Sequence, residues 1–113
     1  MKYPIVLLDG NDVTMFENAA DLGGYIEAID VRAGVYEALD SEGSPLELTV
    51  DSTGSVHAAD RVDANVEPQK LAEILRRYLT VVGAPPVADH WNSVSLSGLV
   101  AAALPLAVEP RKR

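Results

Sequence analysis

The chain contains one short sequence motif twice, as Asp40-Ser41-Glu42-Gly43-Ser44 and then as Asp51-Ser52-Thr53-Gly54-Ser55. Each copy lies between short runs in which apolar and polar residues alternate, as they do in a half-buried strand. Aspartate hydrogen-bonds the backbone that follows it, and glycine adopts the positive φ that ends such a turn. The repeat therefore predicts two consecutive hairpin loops and an antiparallel meander in the middle of the chain.

The segments around these loops have the composition of strands. Ile5–Leu8 and Val13–Phe16 flank a turn-rich segment and are predicted to form a first hairpin. Residues 29–62 are predicted to be strand and turn throughout, with Asp30–Arg32 and Val35–Leu39 as neighbouring strands. Together these runs predict an antiparallel meander sheet of about five to six strands.

Helical signals lie on either side of the predicted meander. Asn18 is a suitable N-cap for a helix that continues to about residue 29. Pro68–Val82 begins with proline and carries one apolar stripe at helical spacing. A short last helix is predicted over about Ser95–Leu104, and Pro105 is expected to end it.

These elements predict the fold class α+β. We expect two to three helices beside the sheet, with the helix of residues 68–82 packed across one sheet face. At 113 residues the chain has the length of one domain, 1–113, and residues 109–113 are expected to form a flexible basic tail.

Composition excludes several classes of site. The chain has no cysteine, which removes disulfides, thiolate metal sites and cysteine nucleophiles. Its longest apolar run, Leu99–Val108, is interrupted by Pro105 and is shorter than the roughly 20 residues of a membrane span. The start, Met1-Lys2-Tyr3-Pro4, lacks the apolar core of a signal peptide. We therefore expect a cytoplasmic protein with no membrane partner.

The negative charge is concentrated in the first part of the chain. The net charge is −8, and residues 1–63 contain thirteen acidic residues against three basic ones, Lys2, Arg32 and Arg61. Such a distribution repels nucleic acid and attracts a basic macromolecule. The alternative interpretation is that the charge serves solubility alone.

Candidate catalytic groups are few. Asp89-His90-Trp91 brings an imidazole and a carboxylate together in sequence, and His57 lies beside the second repeated loop. A small hydrolase or metal-dependent enzyme that uses His57 and His90 is therefore an alternative, provided that the fold brings both into one pocket. Packing roles are more typical of such isolated residues, and Trp91 is expected to fill the core. We assign no catalytic residue, no metal ligand and no cofactor.

One part of the chain resembles a known class of proteins. Residues 20–31 contain Glu27-Ala28-Ile29-Asp30-Val31, and residues 34–43 contain Tyr36-Glu37-Ala38-Leu39-Asp40-Ser41-Glu42-Gly43. This arrangement resembles small bacterial proteins of the toxin-immunity type. The resemblance implies a small cytoplasmic α+β protein that binds and neutralises a cognate toxin.

The function predicted from charge and resemblance is that of a non-enzymatic acidic binding protein, most specifically an immunity-type protein whose toxin is basic. Its contact surface is predicted to lie on the meander and to comprise Glu37, Asp40, Glu42, Glu47 and Asp51. A second alternative is a structural or oligomerisation module that forms a homodimer through the apolar residues 95–108.

Overall fold

The computed structural model describes residues 1–10, 12–26, 28–62, 65–83 and 88–107, without the side chains of residues 28 and 88–90. The strands are β1 (Ile5–Asp9), β2 (Asp12–Phe16), β3 (Glu37–Leu39), β4 (Pro45–Val50) and β5 (Val56–Asp60). The helices are α1 (Ala19–Tyr25), α2 (Ala28–Arg32), α3 (Pro68–Val81) and α4 (Leu96–Ala107), with a 3-10 helix at Ala88–Ser93.

The five strands form one antiparallel sheet in the order β2-β1-β3-β4-β5. The predicted α+β class and antiparallel sheet are confirmed. The last three strands form the predicted meander, and the predicted first hairpin is β1–β2. β1 lies between β2 and β3, so the first hairpin joins the meander through its first strand.

Both faces of the sheet are covered at β1, which explains the unbroken apolar run at the start of the chain. Val6, Met15 and Leu39 lie under α3 and α4 in one core cluster. Ile5 and Leu7 face the opposite side, where residues of α1 and of β2 to β5 complete a second cluster. Because successive strand residues point to opposite faces, the register of β1 fixes which residues enter each cluster.

The two copies of the repeated sequence motif form loops with the same conformation. The N–H of Asp40 donates to Ser44 O at 2.9 Å, and the N–H of Asp51 donates to Ser55 O at 3.0 Å. The glycines of the two loops have φ values of 89° and 85°, a conformation that other residues rarely adopt. Both predicted hairpin loops are confirmed.

The predicted strand at Asp30–Arg32 is wrong, because these residues form α2. The N–H of Val35 donates to Asp30 O at 3.2 Å, and Gly34 has a φ of 73°. A glycine with positive φ just after the last helical residue is a common way for a helix to end. The single helix predicted to start at Asn18 is two short helices. Asn18 does cap α1, whose last residue is followed by Ile26 in an extended conformation.

The two longer helices lie on one face of the sheet. α3 begins with Pro68 at its first turn, as predicted. α4 does not end at Pro105 but continues to Ala107, because Ala103 and Ala107 are buried in the core cluster beside α3. This packing offsets the backbone hydrogen bond that proline cannot donate.

Trp91 is buried in the same cluster, which confirms its predicted role in the core. Arg76 of α3 holds the adjoining segment by donating to the carbonyls of Trp91 at 3.1 Å and Val94 at 3.3 Å. The predicted basic tail, residues 109–113, lies outside the described residues. None of the helices that the structure describes is both long and apolar enough to cross a membrane.

Candidate protein-binding surface

The helices α3 and α4 cover only part of the sheet face on which they pack. The buried sheet residues beneath them come from β1, β2 and β3. On β4 and β5 the residues of the same face are exposed, apart from the half-buried Pro45, and the first residue of β3 is exposed as well. We call this uncovered area the open sheet face, and it comprises Glu37, Glu47, Thr49, His57 and Ala59.

Strand register places two of the predicted contact residues together on this face. Leu39 is paired with Pro45, and both belong to the face that carries α3. Glu37 lies two residues before Leu39, and Glu47 lies two residues after Pro45, so both carboxylates point to the same side. The sheet therefore presents Glu37 and Glu47 from adjacent strands as exposed acidic groups.

Glu37 also contacts the helix that borders the open sheet face. Its Oε2 lies 2.7 Å from Nζ of Lys70, with both side chains partly exposed. The hydrogen bond to Glu37 raises the pKa of Lys70, and partial burial opposes this effect. Lys70 therefore neutralises part of the charge of Glu37, whereas Glu47 has no basic partner among the ion pairs between described residues.

Asp51 reaches the open sheet face through His57. Its Oδ2 lies 2.7 Å from Nε2 of His57, while Oδ1 accepts from the N–H groups of Thr53 and Ser55. The pKa of Asp51 is lowered well below its usual range, chiefly by the hydroxyl of Thr53 and then by His57. These donors keep the Asp51 carboxylate ionised and fix its position.

Asp40 is not available to a partner, although the sequence placed it in the contact surface. It is 2 % exposed, and its carboxylate accepts from the backbone N–H groups of Lys2, Glu42 and Ser44 at 2.9 to 3.0 Å. The turn chemistry that predicts the loop accounts for the donors Glu42 and Ser44, whereas Lys2 comes from the start of the chain.

Glu42 is exposed but lies away from the open sheet face. It belongs to the loop after β3, where the N–H of Ser41 donates to Lys2 O and the N–H of Glu67 donates to Gly43 O. That loop is at the opposite end of β3 from Glu37. Glu37, Glu47 and Asp51 thus lie on or beside one face, and Glu42 does not.

A cleft of about 1040 Å³ lies at the end of the sheet where β1 ends and β3 begins. Its walls are the β1–β2 hairpin, the segment that leads into β3, and one side of α3 from Lys70 to Val81. Glu37 and Lys70 line it, so the cleft adjoins the open sheet face. The remaining charged and aromatic residues that line it are Asp9, Asp12, Glu73, Arg77, Tyr25, Tyr36 and Tyr78.

Tyr36 reports the electrostatic character of this cleft. Its hydroxyl donates to Oδ2 of Asp30 at 3.5 Å. Desolvation is the largest cause that raises the pKa of Tyr36, and the negative charges of Asp30 and Asp9 raise it further. Each of these causes disfavours the ionised, negatively charged form of the Tyr36 hydroxyl.

The alternative of a histidine-based enzyme receives no support from the cleft. His57 lies on the open sheet face and is not among the residues that line the cleft. The side chain of His90 lies outside the described part of the chain, so the predicted histidine pair stays a prediction. Among the side chains that are described, no three histidine, aspartate or glutamate residues are grouped as metal ligands would be.

The apolar C-terminal helix, the predicted homodimer surface, buries one side against the rest of the molecule. Leu99 and Ala103 are fully buried against α3, while Leu106 is exposed. Packing within one chain therefore accounts for most of its apolar character, and a homodimer through residues 95–108 stays a prediction.

No family model, curated protein or solved structure matches this chain. The resemblance to toxin-immunity proteins therefore stays a prediction.

Proposed function

We propose that the chain is a non-enzymatic binding protein that docks a basic partner protein on the open sheet face. One observation carries the proposal: Glu37 and Glu47 are exposed on the part of the sheet that α3 and α4 leave uncovered. Asp51, fixed by its loop and by His57, adds a third carboxylate beside the same face.

Electrostatic attraction supports a basic partner in particular. The chain carries a net charge of −8. On the open sheet face Lys70 is paired with Glu37 and His57 contacts Asp51, while Glu47 has no basic partner among the ion pairs between described residues. Complementary charge raises the rate of encounter and discriminates against acidic competitors. The same field repels nucleic acid.

The most specific form of the proposal is a bacterial immunity-type protein that acts in the cytoplasm. Its partner is then a basic toxin domain, which this chain neutralises by covering the surface that the toxin needs. The resemblance of residues 20–31 and 34–43 supports this form.

Affinity capture tests the binding proposal. The full chain is immobilised and exposed to extract of its own host at about 50 mM salt, where charge attraction is strong, and Glu47→Lys and Glu42→Lys are used in parallel. Both variants change the net charge equally. We expect a basic protein to be retained by wild type and Glu42→Lys and lost with Glu47→Lys. Retention of no basic protein, or equal retention by all three, contradicts the proposal.

Growth protection tests the immunity form. The captured protein is expressed in a heterologous bacterium with and without this chain. We expect it to stop growth when expressed alone and growth to recover when the wild-type chain is present. A partner that is harmless when expressed alone contradicts the immunity form and leaves the binding proposal intact.

A further inference from the structure

We propose that the cleft at the end of β1 binds an extended peptide segment that carries an arginine or lysine beside an apolar side chain. The inference rests on the proposed function, because the segment belongs to the basic partner that docks on the adjoining face. It adds a second contact, with its own chemistry, that Glu47 does not form.

The size and lining of the cleft suit a peptide side chain and its backbone. The volume is about 1040 Å³, at the upper end of the usual range for ligand pockets. Three valines that line it are exposed, with Val35 at 44 %, Val81 at 78 % and Val82 at 47 %. Apolar side chains that remain exposed in a cleft can pack against an apolar side chain of a ligand.

Charge favours a cationic occupant. The described lining includes the carboxylates of Asp9, Asp12 and Glu73, together with Glu37, against the cations Lys70 and Arg77. Lys70 is bound to Glu37 at 2.7 Å, which leaves three carboxylates and one cation. The balance therefore attracts a guanidinium or ammonium group.

The end of α3 adds to this negative potential. α3 ends at Val81 beside the cleft, and its last turn contains no basic residue. The carbonyl groups at a helix C-terminus carry a partial negative charge that favours nearby cations. An anionic ligand such as a nucleotide would meet both this helix end and the carboxylates of the β1–β2 turn.

Tyrosine rings supply the remaining contact. Three of the four tyrosines of the chain line the cleft, and the ring of Tyr25 packs against Phe16 with the centroids 5.4 Å apart. This packing restricts the Tyr25 ring, and the faces of aromatic rings attract cations. Because the cleft combines acidic groups with aromatic rings, it favours a cation-bearing peptide over a purely apolar ligand.

Amide NMR spectra of the full chain test the inference with defined probes. The probes are blocked pentapeptides with the core Arg-Leu-Arg, Arg-Gly-Arg or Glu-Leu-Glu. We expect the Arg-Leu-Arg peptide to shift the amides of Gly10, Gly34 and Val82, with weaker binding of Arg-Gly-Arg and no binding of Glu-Leu-Glu. Shifts confined to the open sheet face, or equal binding of the acidic peptide, would overturn the inference.

Matched variants separate the cleft from general charge effects. Val81→Arg places a cation at the cleft, and Val62→Arg places the same residue at a valine that is 97 % exposed and does not line it. We expect Val81→Arg to weaken binding of the Arg-Leu-Arg peptide at least about tenfold and Val62→Arg to leave it near wild type. Equal effects of the two variants, or concentration-dependent shifts without peptide that reveal self-association at the cleft, contradict the inference.

The two proposals fail in different ways. If the peptide does not bind the cleft but Glu47→Lys abolishes capture of a basic protein, the proposed function stands and the cleft inference is wrong. If the peptide binds the cleft but Glu47→Lys leaves capture unchanged, the docking role of the open sheet face is wrong.

Discussion

Asp40 and Asp51 hold two copies of the same loop in the same way, although one is buried and the other is partly exposed. In each loop Oδ1 accepts from the N–H groups two and four residues further on. The second oxygen distinguishes them, because Asp40 accepts from the backbone of Lys2 and Asp51 contacts His57. The same sequence motif therefore forms a loop with a buried aspartate at one end of β4 and a loop with a partly exposed aspartate at the other end.

Asp40→Ala is expected to destabilise the fold more than Asp51→Ala. The first variant leaves three partly buried backbone N–H groups without their acceptor, a loss of about 3 kcal/mol. In the second, water reaches the loop and replaces part of what is lost. Urea unfolding of both variants measures the difference, and equal unfolding free energies would show that burial of Asp40 is unimportant.

The two loop glycines offer a second matched pair. A Cβ at Gly43 would lie 2.6 Å from the carbonyl oxygen of Glu67, whereas one at Gly54 would meet nothing within 4 Å. The similar φ values cost each alanine about 1 kcal/mol, so Gly43→Ala should lose roughly 2 kcal/mol more through the clash. Thermal or urea unfolding checks this, and equal losses would mean that the α3 N-terminus moves away freely.

Asp51 should make stability depend on pH at the acid end. Its pKa is lowered in the folded chain, first by Thr53 and then by His57 and Ser55, from an unfolded value of about 3.9. The stabilisation is therefore complete above the unfolded pKa and is lost as pH falls towards the folded pKa. We expect Asp51→Asn to lose less unfolding free energy than wild type between about pH 5 and about pH 2.

The prediction is checked by the difference in unfolding free energy between wild type and Asp51→Asn at each pH. Urea unfolding series supply both values. A difference that stays constant from neutral to acid pH would show that Asp51 does not titrate with a lowered pKa in the folded chain.

Lys70→Met should strengthen binding of the basic peptide in the cleft. The variant removes a cation and releases the carboxylate of Glu37, while an exposed ion pair of this kind contributes about 1 kcal/mol or less to stability. Lys2→Met is the control, since it changes the net charge equally at the other end of β1. NMR titration should give several-fold tighter binding for Lys70→Met alone; equal affinities of the two variants would argue against a local role of the cleft charges.

Sequence reasoning predicted the elements whose signals are local. The repeated loops, the Asn18 cap and the Pro68 start of α3 each depend on a few neighbouring residues, and all three are confirmed. The segment at Asp30–Arg32 was misassigned because its β-branched Val31 is typical of strands, whereas hydrogen bonds at the turn of Gly34 close it as a helix.

The surfaces depend on tertiary structure and were only partly predictable. Glu37 and Glu47 share a face because β3 and β4 pair with Leu39 opposite Pro45. The burial of Asp40 depends on the start of the chain, which no local signal reveals. The cleft was missed for the same reason, because its walls come from segments far apart in sequence.

The association rate of the captured basic protein tests the central claim most directly. Surface plasmon resonance compares wild type, Glu47→Lys and Glu42→Lys at about 50 mM and about 500 mM salt. We expect Glu47→Lys to lower kon about tenfold at low salt, Glu42→Lys to have a much smaller effect, and high salt to remove the difference. Equal values of kon for the three proteins at low salt would contradict the central claim.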